Sequence, residues 1–185
     1  LAPGIAVSLA NAIGSLVSNG NLTLAAGSAY RVGVNALGQS DHLQVNGTAT
    51  LGGGAVEVRA LPGAYDYRTS YSILTATNGV AGSFGSVTSD LAFLTPTLTY
   101  DPGQVTLTLR RNDVPYHAVA VTQNQYAVAT GLEGSFRTSL SPSGAGVIDA
   151  LTFAAAPQAQ AILTQISGEG IAGAQTATYG AVSQF

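Results

Sequence analysis

The three residue types of a nucleophilic triad stand side by side at Ser40-Asp41-His42. Catalysis by such a set needs a serine hydroxyl against a histidine that takes its proton, with an acid holding the imidazole in place. Neighbouring side chains in an extended chain point to opposite faces, so adjacency works against that convergence. The run therefore reads as a polar turn entering a strand at Leu43-Val45. No Gly-x-Ser-x-Gly elbow is present. His42 and His117, the two histidines, lie far apart and are expected at the surface, and there is no cysteine, so no metal site is expected. Gly168-Glu169-Gly170-Ile171-Ala172-Gly173 matches the dinucleotide fingerprint in letters only. That fingerprint needs a strand before it and an acid about 20 residues beyond, whereas here a helical pattern precedes and no acid follows Glu169. It reads as a helix junction. The nine acidic residues are scattered without a pair suited to acid–base work, and Arg110-Arg111 reads as a solvated strand end. Asn21-Leu22-Thr23 and Asn46-Gly47-Thr48 are sequons, meaningful only in a eukaryotic secretory chain. No catalytic residue, cofactor, metal or small-molecule substrate is expected.

Composition narrows the class further. Hydrophobic residues make up 46% of the 185, but charged residues only 8%, against about a quarter in ordinary soluble domains. All six basic residues are arginine, and the net charge of −3 is unsuited to a phosphate backbone, so no nucleic-acid partner is expected. The 23 glycines, with many Asn, Ser and Thr, describe a chain that turns often. A secreted protein of this make-up, lacking disulfides, must be held together by its core. Leu1 to Val17 is apolar but has no basic residue before it, so it is a poor signal peptide. With no methionine, even at position 1, an excised or processed piece of a longer chain is expected.

The elements that would position any site change character near Asn112. Before it, apolar residues alternate in short runs: Leu22 and Leu24; Tyr30, Val32 and Val34; Leu43 and Val45; Val56 and Val58. Tyr71, Ile73 and Thr75 follow, then Leu98 and Tyr100, then Val105, Leu107 and Leu109. Period-two spacing of this kind marks half-buried strands. Asn19-Gly20, Asn46-Gly47, Gly52-Gly53-Gly54, Pro62-Gly63, Asn78-Gly79 and Pro102-Gly103 interrupt them as turns. Gly20-Asn21-Leu22-Thr23-Leu24 is echoed 27 residues later by Gly47-Thr48-Ala49-Thr50-Leu51. That spacing falls in the repeat range, yet spacing alone leaves a sandwich and a solenoid level. After Asn112, Ala159, Ile162, Leu163 and Ile166 form a helical stripe, with Pro157 in its first turn and Gly168 at its end. Val147, Ile148 and Leu151 indicate a second short helix. Ala118, Val121, Val128 and Leu132 indicate a third, stopping near Gly131 or Gly134. Ser139 to Gly146 reads as a loop, and Ile171 to Phe185 as permissive for helix.

Several ordered blocks carry a family resemblance over nearly the whole chain. They include Leu1-Ala2-Pro3-Gly4, Ile13-Gly14-Ser15-Leu16, Asn19 to Ala25, Gly27 to Val34, and Ser40 to Gly53. The most specific are Tyr71-Ser72-Ile73-Leu74-Thr75-Ala76, Gly82-Ser83-Phe84, Leu91-Ala92-Phe93-Leu94, Leu98-Thr99-Tyr100-Asp101 and Val105 to Asn112. Thr122 to Ala129 and Leu163 to Glu169 complete the series. Together they resemble the C-terminal passenger and linker region of bacterial type V autotransporters of the pertactin-like kind. One departure is Ile5 to Asn11, which replaces a short Asn/Ser turn, so an irregular first turn is expected.

The resemblance implies a mainly β chain: a right-handed parallel β-helix with a capped C-terminal end over 1–112, then a small α-helical linker over 113–185. It implies a non-enzymatic folding and secretion element, an autochaperone that nucleates β-helix folding at the cell surface. The alternative it leaves is an adhesin-type binding surface. The implied partners are the chain's own upstream passenger and a C-terminal β-barrel translocator, tethering it to the outer membrane of a Gram-negative bacterium. Of the eight tyrosines and five phenylalanines, six lie between Tyr65 and Tyr100, where a solenoid end would have to be closed. Tyr71, Leu74, Phe84, Phe93, Leu98 and Tyr100 are expected as the buried folding core, and parallel strand pairing is expected through residues 13–112.

Overall fold

Frequent turns cut the chain into strands of three to nine residues. A computed structural model describes residues 13–61, 66, 68–135 and 142–168. The expected irregular turn at Leu1 to Asn11, the expected turn at Pro62-Gly63 and the expected helix junction and tail after Gly168 lie outside the described residues. The strands are β1 Ser15–Asn19, β2 Leu22–Leu24, β3 Ala29–Val34, β4 His42–Asn46, β5 Ala49–Gly52 and β6 Ala55–Ala60. They continue as β7 Arg68–Ala76, β8 Val80–Ser83, β9 Ser86–Ser89, β10 Leu94–Asp101 and β11 Gln104–Arg111. A 3-10 helix, Tyr116–Val119, precedes α1 Gln123–Ser135, α2 Pro142–Thr152 and α3 Ala156–Ser167.

Every third strand returns to the same sheet. The orders are β1-β4-β7-β11-β10, β2-β5-β8 and β3-β6-β9, and the first nine strands pair with one another only in parallel. The register gives the repeat directly: Leu16 faces Leu43 and Leu22 faces Ala49, steps of 27, while Ala29 faces Ala55, a step of 26. The next circuit is longer in all three sheets, with Leu43 on Leu74, Ala49 on Val80 and Ala55 on Ser86, each a step of 31. The added length falls in β7 itself: Leu43 is the second residue of β4, whereas its partner Leu74 is the seventh of β7.

Alternation explains why the strands stack. Val32, Val34, Leu43, Val45, Leu51, Val56 and Val58 point into one core, while Thr23, Gln44 and Thr50 face out. Polar atoms reinforce the stacking: Asn46 Nδ2 donates to Asn19 Oδ1 at 2.9 Å, one circuit below. Tyr30 Oη donates to the carbonyl of Ile73 at 2.7 Å, and Tyr71 Oη to that of Asn35 at 3.0 Å. Successive circuits approach so closely at Gly47 that a Cβ there would lie 2.6 Å from the carbonyl of Gly20.

Parallel pairing does not continue to Asn112. β11 is antiparallel to both β10 and β7, in unbroken register with β10 and with a shift between Val105 and Thr106 against β7. The cause is local: Pro102-Gly103 makes a two-residue connection, which can join only antiparallel strands. The helical segments also depart from expectation in places. α1 runs through Gly131 and Gly134, and Ala118 belongs to the 3-10 helix. Val121, expected on the apolar stripe, is 70% exposed. α2 begins at Pro142, so residues 142–146 are helix rather than loop; proline is well suited to a first helical turn, where its missing N–H is not needed. α3 follows its pattern in part: Ala159 and Leu163 are buried, Ile162 is half-buried, Ile166 at the last turn is 41% exposed, and Gly168 closes the helix in a left-handed conformation at φ 73°.

Two cores result. One fills the space between the sheets. The other contains Tyr116, Ala129, Ile148, Leu151, Ala154, Ala159 and Leu163 from the helical lobe, together with Phe93 from the β9–β10 connection.

Candidate functional site

The triad-like run holds circuits of strand together. Asp41 accepts from the backbone N–H of Gly14 through Oδ1 and from that of Gly33 through Oδ2, both at 2.8 Å. Ser40 Oγ donates to the carbonyl of Ser72 at 3.2 Å, and His42 Nε2 lies 2.9 Å from Thr75 Oγ1. The three side chains thus take three separate sets of partners, and the serine is turned to a backbone carbonyl instead of an imidazole. Among the described residues no group of three or more His, Asp or Glu is placed to hold a metal ion. Neither histidine is the plain surface residue expected: His42 is half-buried, and His117 Nδ1 is enclosed without a hydrogen-bond partner.

The densest chemistry lies where the sheets end. Phe93 and Tyr116, both fully buried, meet edge to face with ring centroids 5.0 Å apart. The Arg111 guanidinium sits 5.4 Å from the Phe93 ring centre and 5.1 Å from that of Tyr116. Its Nη1 donates to the carbonyl of Val114 and to Asn112 Oδ1, each at 3.0 Å, to the carbonyl of Phe93 at 3.4 Å, and to the carbonyl of Asn112. Glu133 of α1 accepts from the N–H of Tyr116 at 2.8 Å and places its other oxygen 3.9 Å from Arg111 Nη2. Tyr116 Oη donates to Thr152 Oγ1, which in turn donates to the carbonyl of Ile148 at 2.7 Å. Burial raises the Tyr116 pKa above its ordinary value, the bond to Thr152 opposing it. The expectation of a solvated doublet fails for Arg111, whose side chain is only 15% exposed. A dipeptide gives no sign of two aromatic rings supplied from 18 residues before and five after.

The six expected core residues divide. Tyr71, Leu74 and Phe84 are buried in the core between the sheets, with Leu98 half-buried against it. Phe93 is buried in the other core, under the helices. Tyr100 corrects the expectation, being 37% exposed. It lies at the end of β10 beside the hairpin turn, where its hydroxyl accepts the Phe84 N–H at 2.9 Å. Burial pushes the Tyr71 hydroxyl up to about 12, with a smaller contribution from the Asp66 charge and opposed by Thr69. A cleft of about 430 Å3 opens beside the seam, lined in part by Asp90, Leu91, Asp149, Phe153 and Ile162.

The opposite end differs. Among the described residues β1, β2 and β3 each have one strand neighbour, and all three stand first in their sheets on the same side. On β1, Leu16 and Val17 are 41% and 49% exposed. None of these strands carries a proline, and the one charge among them, Arg31, is paired at 2.8 Å with Glu57 of the next circuit. No described helix is long and apolar enough to cross a membrane, which says nothing of crossing by strands.

No protein-family model matches the chain. It is similar to an extracellular serine protease of Serratia marcescens, at 31% identity over 137 residues. That alignment covers 66% of this chain and 12% of the protease, so the chain spans about an eighth of the relative it matches.

Proposed function

We propose that this chain is the C-terminal end of a secreted passenger, a non-enzymatic element whose closed end nucleates the folding of a parallel β-helix. The observation that carries this reading is the shared register of three sheets. Each circuit returns after 26 or 27 residues and then after 31, with an antiparallel hairpin and helices at one end and single-neighbour strands at the other. Strand edges are templates for further strand pairing. Circuits built on the closed end would present β1, β2 and β3 at the opposite edge, offering an arriving upstream segment both hydrogen bonds and an apolar floor. Burial at about 25 cal/mol per Å2 would drive each addition, with no nucleotide consumed.

The likeness to an extracellular protein supports secretion for this chain as well. The tether to an outer membrane through a barrel beyond the helical lobe belongs to the same proposal. Absence of cysteine suits a chain threaded through a pore without disulfide-closed loops. The serine protease activity named for the relative is not assigned here: the alignment covers little of it, and Ser40, Asp41 and His42 are engaged in separate structural bonds.

Deletion of residues 68–112 from the complete protein tests the reading. Loss of surface display, with transcript and synthesis intact, is expected. Normal display with lost adhesion to cells would instead assign a binding surface, and normal display with lost hydrolysis would assign an enzyme.

A further inference from the structure

Arg111 is a charged side chain buried at a seam between two cores, and each of its neighbours across the seam belongs to the helical lobe. The lobe's core is small: two of its members are alanines of α1 and α3, and its aromatic rings are Phe93 and Tyr116. Phe93 is lent by the β9–β10 connection, which also meets the lobe through the Ala92 N–H, donated to the carbonyl of Ala154 at 3.2 Å. Within the lobe the joints are polar and local. Gln125 Nε2 donates to Thr164 Oγ1 at 2.7 Å, and Gln160 Nε2 to the carbonyl of Val119 at 2.9 Å. These bonds tie the 3-10 helix, α1 and α3 to one another. Tyr116, through Glu133 and Thr152, joins α1 and α2 to the point where Arg111 sits.

We propose that Arg111 is a latch that holds the helical lobe against the closed end of the sheets, so that breaking it releases the lobe as one body while the sheets remain folded. Its planar guanidinium is suited to lie against two rings while donating to several oxygens; a lysine ammonium, compact and more strongly hydrated, fills neither role. Without it, Glu133 and the carbonyls of Phe93, Asn112 and Val114 lose a charged donor at once. The sheet core, by contrast, contains no contribution from Arg111, and Phe153 is the one buried residue it takes from the lobe. A releasable lobe deepens the function proposed above, in which this segment lies between a folded passenger end and a barrel. The latch itself requires only the chain in hand.

Hydrogen exchange resolved by residue on the isolated chain, for Arg111→Gln, Arg111→Lys and Glu133→Gln, tests it. Amides of α1 and α3 are expected to exchange about 10- to 100-fold faster in both Arg111 variants, as loss of a charged hydrogen-bond donor implies. The rise should be smaller in Glu133→Gln, and rates in β4, β7 and β11 should stay at wild-type values. Equal acceleration in the sheets and the helices, or outright failure of both Arg111 variants to fold, would overturn the latch by making the molecule one cooperative unit. Unchanged helix rates would overturn it by removing the latch's effect. Neither outcome bears on secretion, which the deletion above tests separately.

Discussion

Replacing Gly47 by alanine interrogates the stacking of circuits at its tightest point. A Cβ there would stand 2.6 Å from both carbonyl atoms of Gly20 and 2.8 Å from the Asn21 nitrogen. Comfortable contact begins near 3.5 Å, so the two circuits would have to part by about 0.9 Å. Two backbone bonds flank this place: Gly20 N–H to the Asn46 carbonyl at 3.1 Å and Leu22 N–H to the Thr48 carbonyl at 2.9 Å. Opening by that amount carries both past hydrogen-bonding distance, each worth a net of about 0.5–1.5 kcal/mol. Reduced freedom of the unfolded chain returns about 0.4–1 kcal/mol. A loss of about 1–2 kcal/mol remains, a substantial fraction of a domain stability of roughly 5–15 kcal/mol. Urea unfolding followed by far-ultraviolet circular dichroism should show a lower midpoint at unchanged slope. Gly134→Ala is the control: the position lies inside α1 with open space around its Cβ, and should stabilise by up to about 1 kcal/mol. Equal midpoints for wild type and Gly47→Ala would refute the close approach of circuits on which the register argument depends.

Phe93→Ala removes a fully buried ring and its contacts with Tyr116 and Arg111, and should cost about 3–5 kcal/mol, read as early loss of helical signal in thermal melts. Alkaline titration should destabilise the chain, because Tyr71 keeps its proton to about 12 when folded but releases it near 10 when unfolded. In that window the native state binds the extra proton, so stability falls by about 1.4 kcal/mol per pH unit for this tyrosine, and denaturation midpoints measured across it should drop accordingly. Asp41→Ala should cost about 2–4 kcal/mol by leaving the N–H groups of Gly14 and Gly33 without their acceptor, measured by the same unfolding assay. The purified chain should hydrolyse neither esters nor peptides nor glycosides, and an activity abolished by Ser40→Ala or His42→Ala would contradict the bonding seen there.

Much of the strand pattern was legible because apolar residues recur at every second position in β3, β4, β6 and β11 and in Tyr71 to Thr75 of β7, even though β7 and β11 also bury consecutive residues. The 27-residue echo is a true register, Leu22-Thr23-Leu24 lying on Ala49-Thr50-Leu51. Its third member was hidden, since the next circuit lengthens β7 and fills β8 with Val80-Ala81-Gly82-Ser83, small side chains with no alternation to detect. β9 escaped because Val87 is the one apolar residue in its four, too few to show a period. The hairpin of β10 and β11 was readable as two strands but not as antiparallel, because period-two spacing carries no direction; only the two-residue Pro102-Gly103 connection does. Arg111 was illegible in principle. Its environment is assembled from Phe93, Tyr116 and Glu133, which no local pattern joins, and a basic doublet at a strand end is ordinarily solvated.

Pulse-labelling hydrogen exchange during refolding of this chain tests most directly whether its closed end nucleates the fold. Amides of β7, β10 and β11 should gain protection first, those of β4 to β6 next, and those of β1 to β3 last, in the order that templating from the closed end requires. Protection appearing first in β1 to β3, or at one rate throughout the sheets, would contradict the account.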